Sequence, residues 1–400
     1  MRAELERDRS GPQGKDAIRR QNLSAVLRAV RRSGSISRTG LVQELALSRT
    51  TVGELVTQLV GLGLVVEDDV KETGTAGRPS HVVRASDLVG ALAVNPESDA
   101  LTIGVVSLGG RILYRVRHEA GNVHSLDDVV ALCRATSDEL RKVLPGGCRI
   151  AGAGVAIGGQ VSKRSGRVLL APRLGWRDAD VASGLSRALR MPVFVDNNAR
   201  LVAVAEQRHG AVRGVTDFVY LFGGAGGIGG GIVAGDAVLS GRDGLAGEFG
   251  HMRISSAADV DYGGFAGTVE ALIKRDDLVE SLGLRHVTDA ELESLVRTEH
   301  APAFMRVARR QVRALAVTLA NVANIFDPEV ILLGGFLGML AARFDDQLRA
   351  AMLAATLPSI GATVDVRTAG EPVNGALWGA AELVFDRLVQ DPLDVALAKT

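Results

Sequence analysis

The sequence predicts an α/β protein in two parts, a winged helix-turn-helix over residues 1–85 and a glycine-rich α/β body over residues 86–400. Three observations carry the prediction. Two short helical patterns stand back to back within Ser37–Leu59, each opened by a serine. Two short β-like runs follow them. Beyond, apolar runs that end in glycine turns alternate with longer helical stretches, the pattern of strands whose carboxyl ends build a cleft.

The first part reads in order. Leu23, Val26, Leu27 and Val30 make one apolar stripe, so a helix there covers the core. Ser37 is placed to N-cap a helix that carries Leu41 and Leu45 on one face. Ala46-Leu47 breaks the pattern, and Ser48 caps a second helix. In it Val52, Leu55, Val56 and Leu59 recur at i, i+3, i+4 and i+7. The opposite face offers Arg49, Thr50, Gly53, Glu54, Thr57 and Gln58, small or polar residues able to reach base edges and phosphates in a major groove. Arg38, Ser48 and Thr51 join this expected double-stranded DNA contact set. Gly61-Leu62-Gly63 ends the helix. Leu64-Val65-Val66, a polar tip over Glu67–Ser80, and His81-Val82-Val83-Arg84 complete a wing. At its tip Gly77-Arg78-Pro79 holds one guanidinium on a stiffened loop, suited to a narrow minor groove.

Charge agrees locally. The chain balances 46 basic against 46 acidic residues, which excludes a generally sticky polycation. Yet Lys15, Arg19, Arg20, Arg28, Arg31, Arg32, Arg38 and Arg49 are opposed only by Asp16 and Glu44, an electrostatic footprint for phosphates. No run is long enough to span a bilayer, and the N-terminus is charged rather than signal-like. Two cysteines, Cys133 and Cys148, without a secretory marker point to a reducing cytoplasm and no disulfide.

The body begins with a hairpin, Leu101–Val106 and Arg111–Val116 around Gly109-Gly110. A helical stretch follows at Val129–Leu144, then a buried strand at Ile150–Ile157 that stops at Gly158-Gly159. Val193–Val195 runs into Asp196-Asn197-Asn198 and a helix over Ala199–His209. Phe218–Phe222 leads into a glycine-rich run over residues 223–231. That run lacks the Lys-Ser/Thr ending of a P-loop and the spacing of a dinucleotide fingerprint. By itself it fits either a tight structural turn or a loop for phosphate or sugar. A long helix at Val307–Phe326 precedes the strand Val330–Leu333 and Gly334-Gly335.

These motifs together carry a resemblance. Gly154-Val155-Ala156-Ile157-Gly158-Gly159, Val195-Asp196-Asn197-Asn198-Ala199-Arg200, Gly227-Ile228-Gly229-Gly230-Gly231, Gly247-Glu248-Phe249-Gly250-His251-Met252 and Val330-Ile331-Leu332-Leu333-Gly334-Gly335 resemble the ROK family of sugar-responsive bacterial repressors and sugar kinases. The resemblance implies a two-lobed actin-like ATPase fold, with a C-terminal helix packing back on the first lobe. Its repressor branch carries an N-terminal winged helix, and Ser37-Arg38, Leu47-Ser48-Arg49 and Gly77-Arg78-Pro79 match it.

Four departures separate this chain from the kinases of that family. The aspartate that takes the proton of the attacking sugar hydroxyl corresponds to Asn198, and an amide cannot accept a proton. The Asp-x-Gly-Gly-Thr phosphate turn corresponds to Asn95-Pro96-Glu97-Ser98-Asp99, where proline removes a donor and Glu97 adds negative charge. The thiolates of the family's structural zinc correspond to positions within Asp261–Thr268, none of them cysteine, so His251 stands alone and no zinc is expected. Arg200 replaces an asparagine, and either pairs with an acid or favours an anionic ligand.

Asn197, Asn198, Glu248, His251 and Glu270 remain at positions that contact sugar hydroxyls in the family. Paired amides and carboxylates suit the donor–acceptor pattern of vicinal hydroxyls, although Glu248 and His251 could equally fix their own loop. The expectation is a cytoplasmic transcription regulator, a repressor, with no catalytic residues and no cofactor. It would bind operator DNA as a homodimer or homotetramer, with a sugar or sugar phosphate as effector and no membrane partner. The rivals are an ATP-dependent sugar kinase with an accessory DNA module, and a regulator that answers to no ligand.

Overall fold

The computed structural model describes residues 12–70, 80–119, 125–285, 287–370 and 372–393. Helix α1 (Pro12–Ser33) buries Leu23, Val26, Leu27 and Val30 completely. After strand β1 (Ser35–Ser37), helices α2 (Arg38–Leu45) and α3 (Arg49–Gly61) form, with Ala46 in the left-handed region at φ 53° turning the chain between them. Strands β2 (Val65–Val70) and β3 (Ser80–Ala85) make the wing, in a sheet of order β1-β3-β2.

The wing strand is longer than its apolar run. Glu67 and Asp68, expected in the polar tip, pair in register with Val83 and Val82. β2 is an edge strand, so Glu67 and Asp68 keep their carboxylates toward the surface, where Glu67 meets Arg38 and Asp68 meets Arg84. Gly77, Arg78 and Pro79 lie outside the described residues.

The body repeats one topology. In the first sheet β4 (Val89–Pro96), β5 (Ala100–Ser107) and β6 (Ile112–Glu119) form an antiparallel meander, and β7 (Arg149–Ile157) and β11 (Val193–Asn197) add in parallel beside β4. A small sheet of β8 (Gln160–Val161), β9 (Val168–Ala171) and β10 (Trp176–Ala179) intervenes in sequence. The second large sheet does the same with β12 (Phe218–Gly224), β13 (Gly227–Ala234) and β14 (Ala237–Val238), followed by the parallel strands β15 (Val330–Gly334) and β16 (Asp365–Thr368). Helices α4 (Leu126–Val143) and α5 (Val181–Leu189) belong to the first half. Helix α6 (Asn198–His209) follows β11 directly. The second half inserts α7 (Val269–Leu272), α8 (Arg275–Glu280), α9 (Asp289–Thr298), the long α10 (Pro302–Phe326), α11 (Gly335–Arg343), α12 (Asp345–Leu353) and α13 (Pro358–Gly361).

The last helix, α14 (Pro372–Gln390), packs on β4, β7 and β11 of the first sheet and on α6, which in turn lies on β12 and β13. One apolar core runs from Leu23, Leu27 and Val56 of the N-terminal module into Leu377, Val384, Phe385 and Leu388 of α14. The N-terminal module is therefore seated on the body through α14.

The glycine run is a structural hairpin. β12 continues to Gly224, Ala225-Gly226 turn the chain, and Gly227 opens β13 opposite Gly224. A Cβ at Gly230 would lie 2.6 Å from the Tyr220 carbonyl oxygen and 2.5 Å from the Phe249 ring, and one at Gly231 would lie 2.7 Å from Ala203 Cβ. Close packing of α6 and Phe249 on the hairpin accounts for Gly230 and Gly231, while Gly224, Ala225 and Gly227 line a cavity.

Candidate DNA interface and effector cleft

Helix α3 is fixed at both ends. Ser48 Oγ accepts from the Thr51 amide at 3.1 Å and lies 2.8 Å from Thr51 Oγ1. At the other end Gly63, at φ 72°, lets its own amide reach the Val60 carbonyl at 2.9 Å and the Leu64 amide reach that of Leu59 at 3.0 Å. Arg149 of β7 then donates to the free Leu62 carbonyl at 2.6 Å, so the body itself grips the end of this helix. Val52, Leu55, Val56 and Leu59 are buried, while Arg49, Thr50, Glu54 and Thr57 face solvent. Thr57 is exposed, and its Oγ1 donates to the Gly53 carbonyl at 2.9 Å. Arg19, Arg38, Thr50, Gly53, Glu54, Thr57 and Gln58 line an open groove of about 540 Å³.

The arginine-rich stretch is mostly committed to internal pairs, which narrows the phosphate footprint read from the sequence. Arg31 is buried against Glu382, Arg20 pairs with Asp391, and Arg32 pairs with Glu44. Arg19 donates to Gln58 Oε1 at 2.9 Å on the groove wall. Arg38 makes a two-pronged contact with Glu67, Nε to Oε1 and Nη2 to Oε2, each at 2.7 Å. That bond holds the Glu67 carboxyl below its usual range and raises Arg38. Nη1 of Arg38 stays on the groove side beside Gly53. Arg49 makes no ion pair with any described residue.

The residues expected to meet an effector gather where α6 begins and where the segment after β14 returns. Asn197 is largely occupied, its Oδ1 capping α6 through the Arg200 amide at 3.1 Å and its Nδ2 donating to the Gly159 carbonyl at 2.9 Å. Asn198 is half-buried beside Gly158, and its amide meets no hydrogen-bond partner among the described residues. Burial pushes Glu248 up, opposed by the nearby His251 and Arg200 charges. Glu270 is likewise raised by burial, although its Oε2 accepts from the Ile228 amide at 2.9 Å. A Cβ at Gly227, whose φ is 118°, would lie 2.5 Å from that same oxygen, so this glycine is what admits Glu270 to the hairpin.

Arg200 resolves toward pairing. Its side chain is 4% exposed, with Nη1 on Asp196 Oδ1 at 2.7 Å and Nη2 on the Gly244 carbonyl at 2.6 Å. It stitches α6 to the loop ahead of Glu248 and is not free to anchor a phosphate. The cationic side chains that line the adjoining cavity are instead Arg173, Lys274 and Arg275. That cavity, of about 280 Å³, is also lined by Ala225, Tyr262, Glu270 and Phe336.

Around His251 a hydrogen-bonded cluster stands where the family's zinc would be. Asp261 Oδ2 lies 2.8 Å from His251 Nδ1 and accepts from Thr268 Oγ1 at 2.9 Å. Its Oδ1 accepts from the Gly263 and Phe265 amides at 2.9 and 3.0 Å. Burial works against the Asp261 charge, but these donors win and hold the carboxyl below its usual range. His251 Nε2 meets the Tyr262 hydroxyl at 2.9 Å. Among the described residues no group of three or more His, Cys, Asp and Glu side chains could hold a metal ion.

The turn that corresponds to the kinase phosphate loop is filled by its own charges. Arg117 bridges Glu97 at 3.3 Å and Asp99 at 2.8 Å, and Glu97 is raised by burial and by Asp99. Tyr262, Glu67 and Glu382 were not singled out from the sequence. Only Tyr262 had a signal, since it follows the position of the first missing thiolate.

The chain is similar both to repressors and to sugar kinases. The chain is 27% identical over 353 residues to the xylose repressor of Caldicellulosiruptor bescii, covering 83% of this chain and 87% of the repressor. It is 27% identical over 315 residues to the glucokinase of Thermotoga maritima, covering 74% of this chain and 98% of the kinase. A solved ROK family transcriptional regulator, a homologue of the E. coli MLC protein, superposes with a TM-score of 0.76 at 24% identity, over 93% of this chain and 97% of its own. A Streptomyces griseus glucokinase solved with glucose and AMPPNP gives a TM-score of 0.62 at 24% identity, over 74% and 99% of the two chains. The two repeated sheets are thus the lobes of the actin-like fold that these neighbours share. The ROK family model matches residues 98–387, from the turn before β5 to near the end of α14, and the chain belongs to the ROK family.

Proposed function

We propose that this protein is a DNA-binding transcription regulator, a repressor, whose ROK body senses a sugar or sugar phosphate without phosphorylating it. Residues 1–85 form the reader and 86–400 the sensor, working as a homodimer or homotetramer in the cytoplasm on a paired operator. The carrying observation is helix α3, capped by Ser48, gripped at its far end by Arg149, and turning Arg49, Thr50 and Thr57 to solvent. Such a rigid helix with a polar outer face suits a major groove. The length shared with a xylose repressor, beyond what the glucokinase spans, supports the regulator reading.

Asn198, Glu248, His251 and Glu270 are the residues proposed to meet the effector, with Asn197 holding the start of α6. The adjoining cavity carries Arg173, Lys274 and Arg275 beside Asp261, Glu270 and Asp276, a balanced set that suits a polar ligand, sugar or sugar phosphate. Ligand binding at the first turn of α6 would be felt at its last turn, where Arg208 and His209 contact Glu382, the partner of Arg31 on α1. That is the proposed route to the reader.

The test is selection of genomic fragments by the full-length protein, followed by titration with D-xylose, D-glucose and their phosphates. Enrichment of one operator whose affinity changes with one of these ligands is expected. Failure to enrich any fragment would sink the DNA reading, and an operator indifferent to every ligand would sink the sensing one. Similarity to glucokinases favours the kinase as second reading. Transfer of phosphate from ATP to either sugar by the wild-type chain would establish it against ours, whereas we expect none, nor any from Asn198→Asp.

A further inference from the structure

Asp261 fixes which nitrogen carries the hydrogen when the His251 ring is neutral. Its carboxylate already accepts from three donors, the Gly263 and Phe265 amides and the Thr268 hydroxyl, and has only acceptor capacity, so the facing imidazole nitrogen Nδ1 carries a hydrogen. In the neutral ring this leaves Nε2 as an acceptor, and the Tyr262 hydroxyl donates to it at 2.9 Å. A phenol is a neutral O–H donor, as a sugar hydroxyl is.

Tyr262 is also placed to leave. Its ring stands edge-on to His251, with centroids 5.0 Å apart at 72°, and half of its surface is in solvent. It lines the same cavity as Glu270. The backbone on either side is pinned by Asp261, through the residue's own position before Tyr262 and the Gly263 and Phe265 amides after it. Rotation about χ1 therefore swings the phenol outward while the loop keeps its place.

We propose that Tyr262 occupies the effector's position on His251: a sugar hydroxyl displaces the Tyr262 hydroxyl from Nε2, and Tyr262 thereby sets the affinity of the cleft and its demand for a hydroxyl at that point. This rests on the reading that the cleft binds a sugar through His251. The exchange trades one neutral hydrogen bond for another, so it is nearly balanced for a ligand with the hydroxyl. A ligand lacking it must leave Nε2 unpaired or leave the phenol blocking the cleft. Rejection of such analogues follows.

The experiment is calorimetric titration of the full-length wild type, Tyr262→Phe and His251→Ala with D-xylose, D-glucose and their phosphates, each protein first shown by thermal melting to be folded. Tyr262→Phe keeps the ring but gives up the competing donor. We expect it to bind the same sugar about three- to tenfold more tightly than wild type, while His251→Ala loses binding. A Tyr262 that merely shapes the loop would give unchanged or weaker binding in Tyr262→Phe, and either result overturns the proposal while leaving the sugar site intact. If His251→Ala binds like wild type, or no protein binds any of these ligands, the underlying reading fails and the proposal with it.

Discussion

The Glu382 carboxylate of α14 lies 2.7 Å from Nη2 of Arg31 on α1, both side chains less than 5% exposed. Arg208 and His209, the end of α6, reach the same carboxylate at 3.2 and 3.5 Å, and the Arg31 guanidinium lies over the Phe385 ring at 5.0 Å. Burial alone would raise this acid, but Arg31, His209 and Arg208 outweigh it and hold Glu382 far below the usual carboxylate range. One buried charge thus joins the N-terminal module, α14 and α6, the helix that Asn197 caps.

Glu382→Leu strands Arg31 without its partner and should cost about 3–5 kcal/mol in stability. Urea unfolding measures it. Arg31→Met/Glu382→Leu removes both members of the pair and should recover part of the loss, since the penalty belongs to the unpaired ion. The acid's folded pKa is depressed, so its contribution is complete above the ordinary carboxylate range and fades only as pH falls toward the folded value. A single variant as stable as wild type would mean that the pair does not hold the module.

On the DNA face, Glu67→Gln sets two arguments against each other. Removing a negative charge near phosphates should tighten operator binding if long-range Coulomb effects decide. Loss of the two 2.7 Å bonds frees Arg38 to wander, which should weaken it. We expect weakening, by about three- to tenfold in fluorescence anisotropy at fixed salt, because a preorganised guanidinium pays less entropy on binding. Tighter binding of Glu67→Gln would remove Arg38 from the interface.

Ser48→Ala tests the recognition helix directly. The variant leaves the Thr51 amide without its cap and should cost about 1 kcal/mol of stability. Operator affinity should fall as well, because Arg49 and Thr50 sit in the turn that the cap orders. Ser37→Ala removes the equivalent cap of α2, which accepts the Gly40 amide at 3.0 Å, and serves as the comparison. Equal loss of stability with a larger loss of DNA binding in Ser48→Ala is the expected pattern. Equal DNA binding by both would place the interface elsewhere.

What the sequence made legible was local. The serine caps and the Val52–Leu59 stripe depend on residues three or four apart, so periodicity revealed them. Arg31 and Glu382 are 351 positions apart and Arg38 and Glu67 are 29 apart, and no local pattern pairs them. The phosphate footprint was overread for that reason. Glu67 and Asp68 went to the tip because acids disfavour strands, yet an edge strand leaves them solvated. Glycine permits both loop and strand, so residues 223–231 could be assigned only once α6 and Phe249 were seen to lie on them. In the cleft the resemblance supplied His251, and the Tyr262 hydroxyl on its Nε2 emerged from the packing of the loop that replaces the thiolates.

Effector binding should depend on pH before stability does. Burial raises Glu248 and Glu270 above the ordinary glutamate value of 4.5. Each accepts a sugar hydroxyl more strongly as the carboxylate than as the acid, so affinity should be full at neutral pH and begin to fall while the pH is still above 4.5. The two raised groups do not destabilise the free protein on this descent, because protonation relieves their burial. Asp261 and Glu382, both depressed, give up their stabilisation only at lower pH. Loss of binding and loss of fold should therefore separate into two windows, the first seen by calorimetry and the second by circular dichroism. A sugar affinity that stays flat until the protein unfolds would show that neither glutamate accepts from the ligand.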